Sequence, residues 1–328
     1  EKRYIMKLSL VIPCYNEEGN VQKFVEVISQ TFKNKIFNYE LIFINDGSQD
    51  DTLNKLKELC NNSDQNIKII NFSRNFGKEA GMYAGLKEAK GDYITIIDAD
   101  LQQDPNYVLK MVKILDEHEE YDSVVAYQDR RKESGGLTFF KDTFYKIINR
   151  LSEVEFVMGA SDFRTFRRSM VNSILDMKEY YRFSKGIFSW VGFNNYYMSY
   201  DVHNRLSGTT KWSFWKLFKY AIDGIVSFTT TPLRLATILG LIVSLLSLIY
   251  LIIVIIQKLF FSIEIEGYAT IVTLILFLGG IQLLCIGIIG EYLGRTYVET
   301  KNRPLYIIRE VIDNQKGKIN DTKNKKNL

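Results

Sequence analysis

The sequence predicts an α/β domain built on a mostly parallel sheet, followed by a membrane hairpin. Three observations carry that reading. Short β-rich runs alternate with amphipathic stretches from residue 8 to about residue 127, two uncharged apolar runs follow near residues 235 and 269, and basic residues gather on the outer flanks of those runs. A chain of 328 residues has room for one domain of roughly 200 residues plus this membrane part.

Taken in order, strands are expected at residues 8–12, 40–44, 67–72, 93–97 and 123–126, each a short apolar run rich in Val, Ile, Phe or Tyr. Helices are expected between them at 21–32, 52–60, 79–89 and 106–118. In open sheets of this kind ligands bind outside the carboxyl ends of the strands, so the residues just after each strand are where chemistry is expected. From 128 to 200 the alternation loosens into a basic, glycine-containing loop, a helix near 138–151, a strand near 163–166 and aromatic-rich segments. Residues 212–228 then put Trp212, Trp215, Phe218, Ile222 and Ile225 on one helical stripe, with Lys216, Lys219 and Asp223 outside it. That is the pattern of an interfacial helix, and also of an ordinary surface helix packed on the domain.

The runs 235–256 and 269–289 each approach the ~20 residues needed to cross a bilayer and carry no charge. Their connection carries Glu264 and Glu266 against Lys258, whereas Lys211, Lys216, Lys219 and Arg234 precede the first run and Arg295, Lys301 and Arg303 follow the second. The positive-inside rule then puts both termini in the cytoplasm, with the chain a multi-pass protein of the cell membrane. Gly279, Gly280, Gly287 and Gly290 permit close helix contact and are the basis for expecting a homo-oligomer. The Lys-rich stretch 316–326 reads equally as a solvated tail or as a contact for anionic lipid. The expected division is a cytosolic domain at 1–211, an interfacial helix at 212–232, a two-helix transmembrane region at 233–292 and a cytosolic tail at 293–328.

Composition removes several function classes. A net charge of +4 from 42 basic and 38 acidic residues is no footprint for nucleic acid. Three cysteines without a C-x-x-C, and only His118 and His203, leave no material for a disulfide framework, a zinc site or a Ser-His-Asp triad. Any metal must be held by oxygen. The stretch 1–6 is polar and runs into a five-residue apolar strand, which does not read as a secretion signal. Neither G-x-G-x-x-G nor G-x-x-x-x-G-K-[ST] occurs at the first strand, so a diphosphate would be neutralised by a metal and basic side chains rather than cradled by a glycine loop.

The segments after the strands supply candidates. After the first stands Pro13-Cys14-Tyr15-Asn16-Glu17-Glu18, with an aromatic to lie against a base and a carboxylate to accept from base or ribose. After the second stands Asn45-Asp46-Gly47-Ser48, which presents Asp46 at the sheet edge and is equally a turn with an N-cap. After the fourth, Asp98-Ala99-Asp100-Leu101-Gln102 sets two carboxylates one residue apart, a pattern that suits Mg²⁺ or Mn²⁺ shared with substrate phosphates. Arg130 and Arg131 follow the fifth strand, and Arg205 and Lys211 precede the interfacial helix, where a lipid phosphate would lie.

These segments, with Ser73-Arg74-Asn75-Phe76-Gly77-Lys78, Ser161-Asp162-Phe163-Arg164, residues 205–212, Gly290-Glu291-Tyr292-Leu293-Gly294-Arg295 and Asn302-Arg303-Pro304, resemble the family-2 glycosyltransferases of GT-A fold. Within them the chain resembles the polyprenyl-phosphate sugar transferases, of the bactoprenol glucosyltransferase type and more remotely dolichol-phosphate mannose synthase. The resemblance implies that Pro13, Tyr15, Glu17, Ile44, Asp46 and Ala99 hold the nucleotide and that Asp98 and Asp100 hold the metal with Gln102 nearby. It also implies that Arg205 and Lys211 meet phosphates and that Asp162 is a base or an acceptor-orienting group. Gln128 stands where related enzymes often carry Arg, and Asn45 where many carry a second Asp. The expected reaction is inverting transfer from a nucleotide sugar, such as UDP-glucose or UDP-GlcNAc, to undecaprenyl phosphate for cell-envelope glycosylation. A membrane flippase is the expected downstream partner. A processive polysaccharide synthase and a catalytically silent membrane scaffold are the alternatives. Against the first stand the missing Q-x-x-R-W segment and the presence of only two spans; against the second, the intact Asp98, Asp100, Asp162, Arg205 and Lys211.

Overall fold

A computed structural model describes residues 7–33, 38–127, 148–150, 152, 154, 156–200, 224, 226–260 and 267–314. Its parallel centre consists of β1 (Lys7–Cys14), β2 (Asn38–Asn45), β3 (Asn66–Phe72) and β4 (Tyr93–Ile96), side by side in the order β4-β1-β2-β3. Beyond β4 the sheet continues with β6 (Ala160–Arg167), antiparallel to β4, then β5 (Ser123–Tyr127) and β7 (Asn195–Ser199). On the other side β8 (Ile308–Asp313) runs antiparallel along β3. This mixed sheet with a parallel core agrees with the α/β expectation.

Both faces are covered, which explains why the central strands are apolar at most positions, with Ser9, Glu40, Lys68, Asn71 and Thr95 among the buried polar exceptions. Leu10, Ile12, Leu41, Phe43, Ile67 and Ile69 face one layer, where α1 (Val21–Phe32), α2 (Thr52–Asn62) and α4 (Asn106–Glu117) pack. The alternate residues Val11, Ile42, Ile44, Ile70 and Phe72 face the other, where α3 (Lys78–Glu88), α5 (Arg168–Asp176) and α6 (Ser184–Trp190) pack. Helix α3 lies unusually close to the sheet. A Cβ at Gly85 would stand 2.2 Å from Val11 Cγ1 and 2.7 Å from Ile44 Cδ1, so only glycine admits this approach. The close fit lays the first turn of α3 over the carboxyl ends of the strands.

Two long helices follow, α7 (Thr231–Phe260) and α8 (Tyr268–Thr300), which contain the expected spans. Both are long and apolar enough to cross a membrane. Leu241 and Leu283 are 71% and 72% exposed, a surface that suits hydrocarbon rather than water. The hairpin is fastened to the globular part at its base. Glu299 accepts the Tyr180 N–H at 2.8 Å, while Tyr292 donates its hydroxyl to the Thr229 carbonyl at 2.7 Å and Arg295 donates to Ser227 Oγ at 3.0 Å, two bonds that tie α8 to the stretch entering α7. Phe228 packs against Phe156 and Phe183 beneath Gly186, where any Cβ would meet the Phe228 ring at 2.2 Å.

The chain then returns to the sheet. Residues 293–328, expected as a tail, begin inside α8, and 308–313 form the edge strand β8. Ser73 donates its N–H to the Ile307 carbonyl at 2.9 Å, Tyr306 stacks on Phe72, and Glu310 accepts from Asn71 and pairs with Lys57 at 3.0 Å. Strands β7 and β8 and helices α5 and α6 were not anticipated. Each is short, and its pairing or packing partner is remote in sequence, so local pattern carries little of it. Of the helix expected near 138–151 only 148–150 and of the interfacial helix only 224 and 226–228 are described, so the interfacial role of Trp212, Trp215, Phe218, Ile222 and Ile225 lies outside the described residues.

Candidate active site

The site forms at the carboxyl edge of the parallel strands, and the pairing of β4 with β6 builds its centre. Ile96 stands opposite Arg164 in that antiparallel ladder. Two further residues along each chain in the same register bring Asp98 opposite Asp162, although 64 positions separate them in sequence. Lys78, the first residue of α3, lies between the two carboxylates. Its Nζ is 2.8 Å from Asp98 Oδ1, 3.1 Å from Asp98 Oδ2 and 3.2 Å from Asp162 Oδ2.

The charges of this cluster are mutually dependent. Burial disfavours the Lys78 ammonium, but Asp98 and then Asp162 more than offset that and raise its pKa, even though 43% of the side chain remains accessible. Burial would raise Asp162, yet Lys78, Lys185 and Arg164 hold its carboxyl down at about 2. Burial lowers the Arg164 guanidinium to about 10 and also lowers Lys185. Arg164 is 4% exposed, lies 4.4 Å over the Phe188 ring and donates to the Ser161 carbonyl at 2.7 Å. Glu79, next to Lys78, is pushed up to about 7 by burial and by the charge of Asp162, against two hydrogen bonds that its carboxylate accepts from Ser184.

The turn carrying the Asp-x-Asp pair is held by its own backbone. Asp98 N–H donates to Gln103 Oε1 at 3.0 Å, and Gln103 Nε2 donates back to Asp98 Oδ2 at 3.1 Å. Asp100 Oδ1 accepts from the Gln102 N–H at 3.1 Å. Leu101 has φ +56°, a left-handed conformation that a bulky residue seldom adopts and that turns Gln103 back onto Asp98.

The nucleotide candidates surround this centre. Tyr15 is 42% exposed beside Pro13, and Asn16 (φ +56°) ties the first loop to the second by donating its N–H to Ser48 Oγ at 3.0 Å and accepting from the Gln49 N–H at 2.9 Å. Glu17 donates its N–H to Thr52 Oγ1 at 2.8 Å, while its carboxylate accepts from Asn20 at 2.6 Å. Asp46 is 4% exposed, and its carboxylate accepts the Phe76 and Gly77 N–H groups at 2.6 and 2.9 Å. Burial raises its pKa against those two bonds. Asp46 therefore holds the loop that leads into Lys78. Gly47 (φ +63°) lets that loop come close, since a Cβ there would stand 2.4 Å from the Arg74 carbonyl carbon. Ile44 is fully buried under α3, so any contact of this residue with a nucleoside would run through its main chain. Ala99 is buried too.

The expected residues Asp98, Asp100, Gln102, Asp162, Asp46, Pro13, Tyr15 and Glu17 all lie along this one edge of the sheet. Arg130, Arg131, Arg205 and Lys211 lie outside the described residues. Sequence reasoning gave no role to Lys78, Gln103, Glu79 or Lys185. Lys78 did lie in a quoted motif, immediately after a glycine at a strand-to-helix turn, which was the available signal.

With this geometry in place, comparison with known proteins is decisive. Residues 9–175 match Glycosyl transferase family 2, and residues 231–296 match the GtrB C-terminal hairpin. The chain belongs to glycosyltransferase family 2. It is a glycosyltransferase, and its mixed sheet between two helical layers is the GT-A fold of that family. Its relatives align over nearly their whole length. CsbB of Bacillus subtilis (strain 168), named as a glycosyltransferase, is 46% identical over 304 residues, covering 92% of this chain and 91% of its own. The prophage bactoprenol glucosyl transferase homolog of Escherichia coli (strain K12) is 41% identical over 93% of this chain and 99% of its own. The SfII prophage-derived bactoprenol glucosyl transferase of Shigella flexneri is 40% identical over 93% and 98%.

Proposed function

We propose that this glycosyltransferase moves a sugar from a nucleoside diphosphate donor to the phosphate of a polyprenyl carrier, undecaprenyl phosphate, at the cytoplasmic face of a membrane. The observation that carries this reading is the joining of two features in one chain: the cluster of Asp98, Lys78 and Asp162, and a hairpin fastened to that domain through Glu299 on Tyr180 and Phe228 on Phe156 and Phe183. Relatives named as bactoprenol glucosyl transferases align over 93% of the chain, a span long enough to take in both the domain and the hairpin.

The donor set fits a hard divalent cation. Asp98 and Asp100 offer carboxylate oxygens at an open cleft, and no group of three or more His, Cys, Asp or Glu side chains that could hold a metal occurs among the described residues. Two carboxylates plus substrate phosphates are what Mg²⁺ or Mn²⁺ takes. Asp98 and Asp100 would hold the ion, with Gln102 beside them, and the ion when bound would neutralise the diphosphate as it leaves. Pro13, Tyr15, Glu17, Asp46 and Ala99 would hold the nucleoside. Arg205 and Lys211, with Arg130 and Arg131, would meet the phosphates of donor and acceptor.

Asp162 then orients the acceptor. A phosphate monoester is largely dianionic at neutral pH, so no strong base is required. One of its oxygens forms the new bond to the anomeric carbon while the bond from that carbon to the diphosphate oxygen breaks. The electron pair leaves with the nucleoside diphosphate, and configuration inverts. An Asp162 held at about 2 stays ionised throughout, which suits positioning and not proton uptake.

Both termini of the chain face the cytoplasm in this reading, and the connection between α7 and α8, most of it outside the described residues, faces outward. A lipid-linked sugar made inside for the cell envelope needs a flippase next. The test is to incubate membranes containing the chain with undecaprenyl phosphate and a panel of labelled sugar nucleotides, UDP-glucose and UDP-GlcNAc among them, and then to extract lipid. Label in the lipid with one donor is expected. No label with any donor overturns the reading, and label in a long polymer favours a processive synthase instead.

A further inference from the structure

Lys78 presents a problem that the proposed chemistry does not use. Its ammonium occupies both oxygens of Asp98, at 2.8 and 3.1 Å, and those are the oxygens a divalent cation would need. The arrangement is not accidental crowding. The Gln103 side chain holds Asp98 at two points, accepting the Asp98 main-chain N–H at 3.0 Å and donating to Asp98 Oδ2 at 3.1 Å, which restrains the carboxylate. Lys78 is therefore the partner free to move. It opens α3 directly after Gly77 at φ +96°, its side chain is 43% accessible, and a four-carbon stem gives the ammonium reach. Its second partner, Asp162 at 3.2 Å, remains available if Asp98 is lost.

We propose that Lys78 is the resident counter-ion of the metal site: it holds Asp98 and Asp162 together while the site is empty of donor, and it yields Asp98 when the divalent cation arrives. The inference rests on the reading of Asp98 as a metal ligand and goes beyond it. Without Lys78, Asp98 and Asp162 would face each other as like charges in a partly desolvated cleft, and the loops bearing them would be driven apart. With Lys78, Asp98 and Asp162 are held side by side before any ligand binds. With Asp98 given over to a divalent cation, the Lys78 ammonium would keep Asp162, already 3.2 Å away, as its partner, beside the place where the anionic reactants would meet. Lys78 is thus a positioning residue that couples ion entry to the arrangement around Asp162.

The consequence is measurable without turnover. A competitor for Asp98 weakens the affinity of the bare ion, so removing it tightens binding. Mn²⁺ alone is titrated into the purified full chain in detergent, without nucleotide, and free ion is counted by its paramagnetic resonance signal. Lys78→Met is expected to bind Mn²⁺ about tenfold more tightly than wild type. Lys78→Arg, which keeps the charge, stays near wild type. Lys185→Met, which removes a cation that acts on Asp162, changes the affinity by less than about twofold because it leaves the contact with Asp98 intact. Unchanged or weaker binding in Lys78→Met overturns the proposal. So does tightening in Lys78→Arg, which would make the effect steric, or equal tightening in Lys185→Met, which would make it a general field. Asp98→Asn separates the two layers: if it binds Mn²⁺ like wild type, the metal assignment itself is wrong, whereas if it loses the ion while Lys78→Met does not tighten, only the counter-ion role fails.

Discussion

Replacing Asp162 with Asn is the most informative single perturbation, because the structure sets both its energetic and its catalytic consequence. Lys78, Lys185 and Arg164 hold the Asp162 carboxyl at about 2 against a usual value of 3.8. At roughly 1.4 kcal/mol per pKa unit, that drop corresponds to about 2 kcal/mol of folding stability at neutral pH. The folded-state pKa is depressed, so this stability is fully present above 3.8 and is lost as pH falls through about 2. Asp162→Asn should therefore lower unfolding stability by about 2 kcal/mol at pH 7, with the difference from wild type closing toward pH 2. Donor affinity, measured by calorimetry with the sugar nucleotide and Mg²⁺, should hardly change, since in the proposed reading it rests on Pro13, Tyr15, Glu17 and Asp46 and on the metal carboxylates Asp98 and Asp100. Initial rates of labelled lipid formation should fall about a hundredfold, the scale of losing the orientation of one reactant. Rates near wild type, or identical stability across the pH range, would refute the placement of Asp162 at the centre of the site.

Three further outcomes are expected. Asp98→Asn or Asp100→Asn should remove most activity and most metal dependence, and full turnover in excess chelator would contradict the role given to these carboxylates. Glu79 is held protonated up to about 7, so the folded state keeps a proton that the unfolded chain releases near 4.5, and stability falls as pH rises between those values. Glu79→Gln should remove that fall, worth up to about 3 kcal/mol, and a denaturation series from pH 4.5 to 8 with parallel wild-type and variant curves would dismiss it. Gly85→Val should destabilise by about 3 kcal/mol or more by driving α3 off β1 and β2, read as a lower thermal midpoint; an unchanged midpoint would mean that the helix does not sit where the clash with Val11 and Ile44 puts it.

Much of this was legible in the sequence. Strands β1, β2 and β3 are visible as short, mostly apolar runs, because both faces are buried, and the rule that chemistry follows the strand ends leads directly to Asp46 and Asp98. What was not legible depends on contacts between distant residues. Lys78 reads as an ordinary helix-surface lysine until the β4–β6 register brings Asp98 and Asp162 together beneath it. Gln103, rather than Gln102, bonds Asp98, and nothing local in the sequence announces the left-handed Leu101 that precedes them. The alternation places the Ile44 side chain with Ile42 under α3, which leaves its main chain as the part that can face a nucleoside. Strand β8 pairs with β3 across some 240 residues, and its charged sequence gives it no apolar signature of its own.

The return of the chain to β3 has a mechanical meaning. A catalytic domain joined to a membrane by one segment can swivel and rise, and its cleft then samples a volume set by linker statistics. Here the polypeptide leaves the domain at Phe228 and comes back to it at Ile307, so the hairpin is gripped at both ends like a bracket with two bolts. One bolt lies under α6 and Lys185, and the other beside the loop that carries Asp46's partners and Lys78. Tilting the hairpin would therefore pull on the two sides of the cleft at once. In the proposed function, the height of the reacting carbon above the lipid phosphates would then be a fixed dimension of the protein, with the membrane as one wall of the reaction chamber.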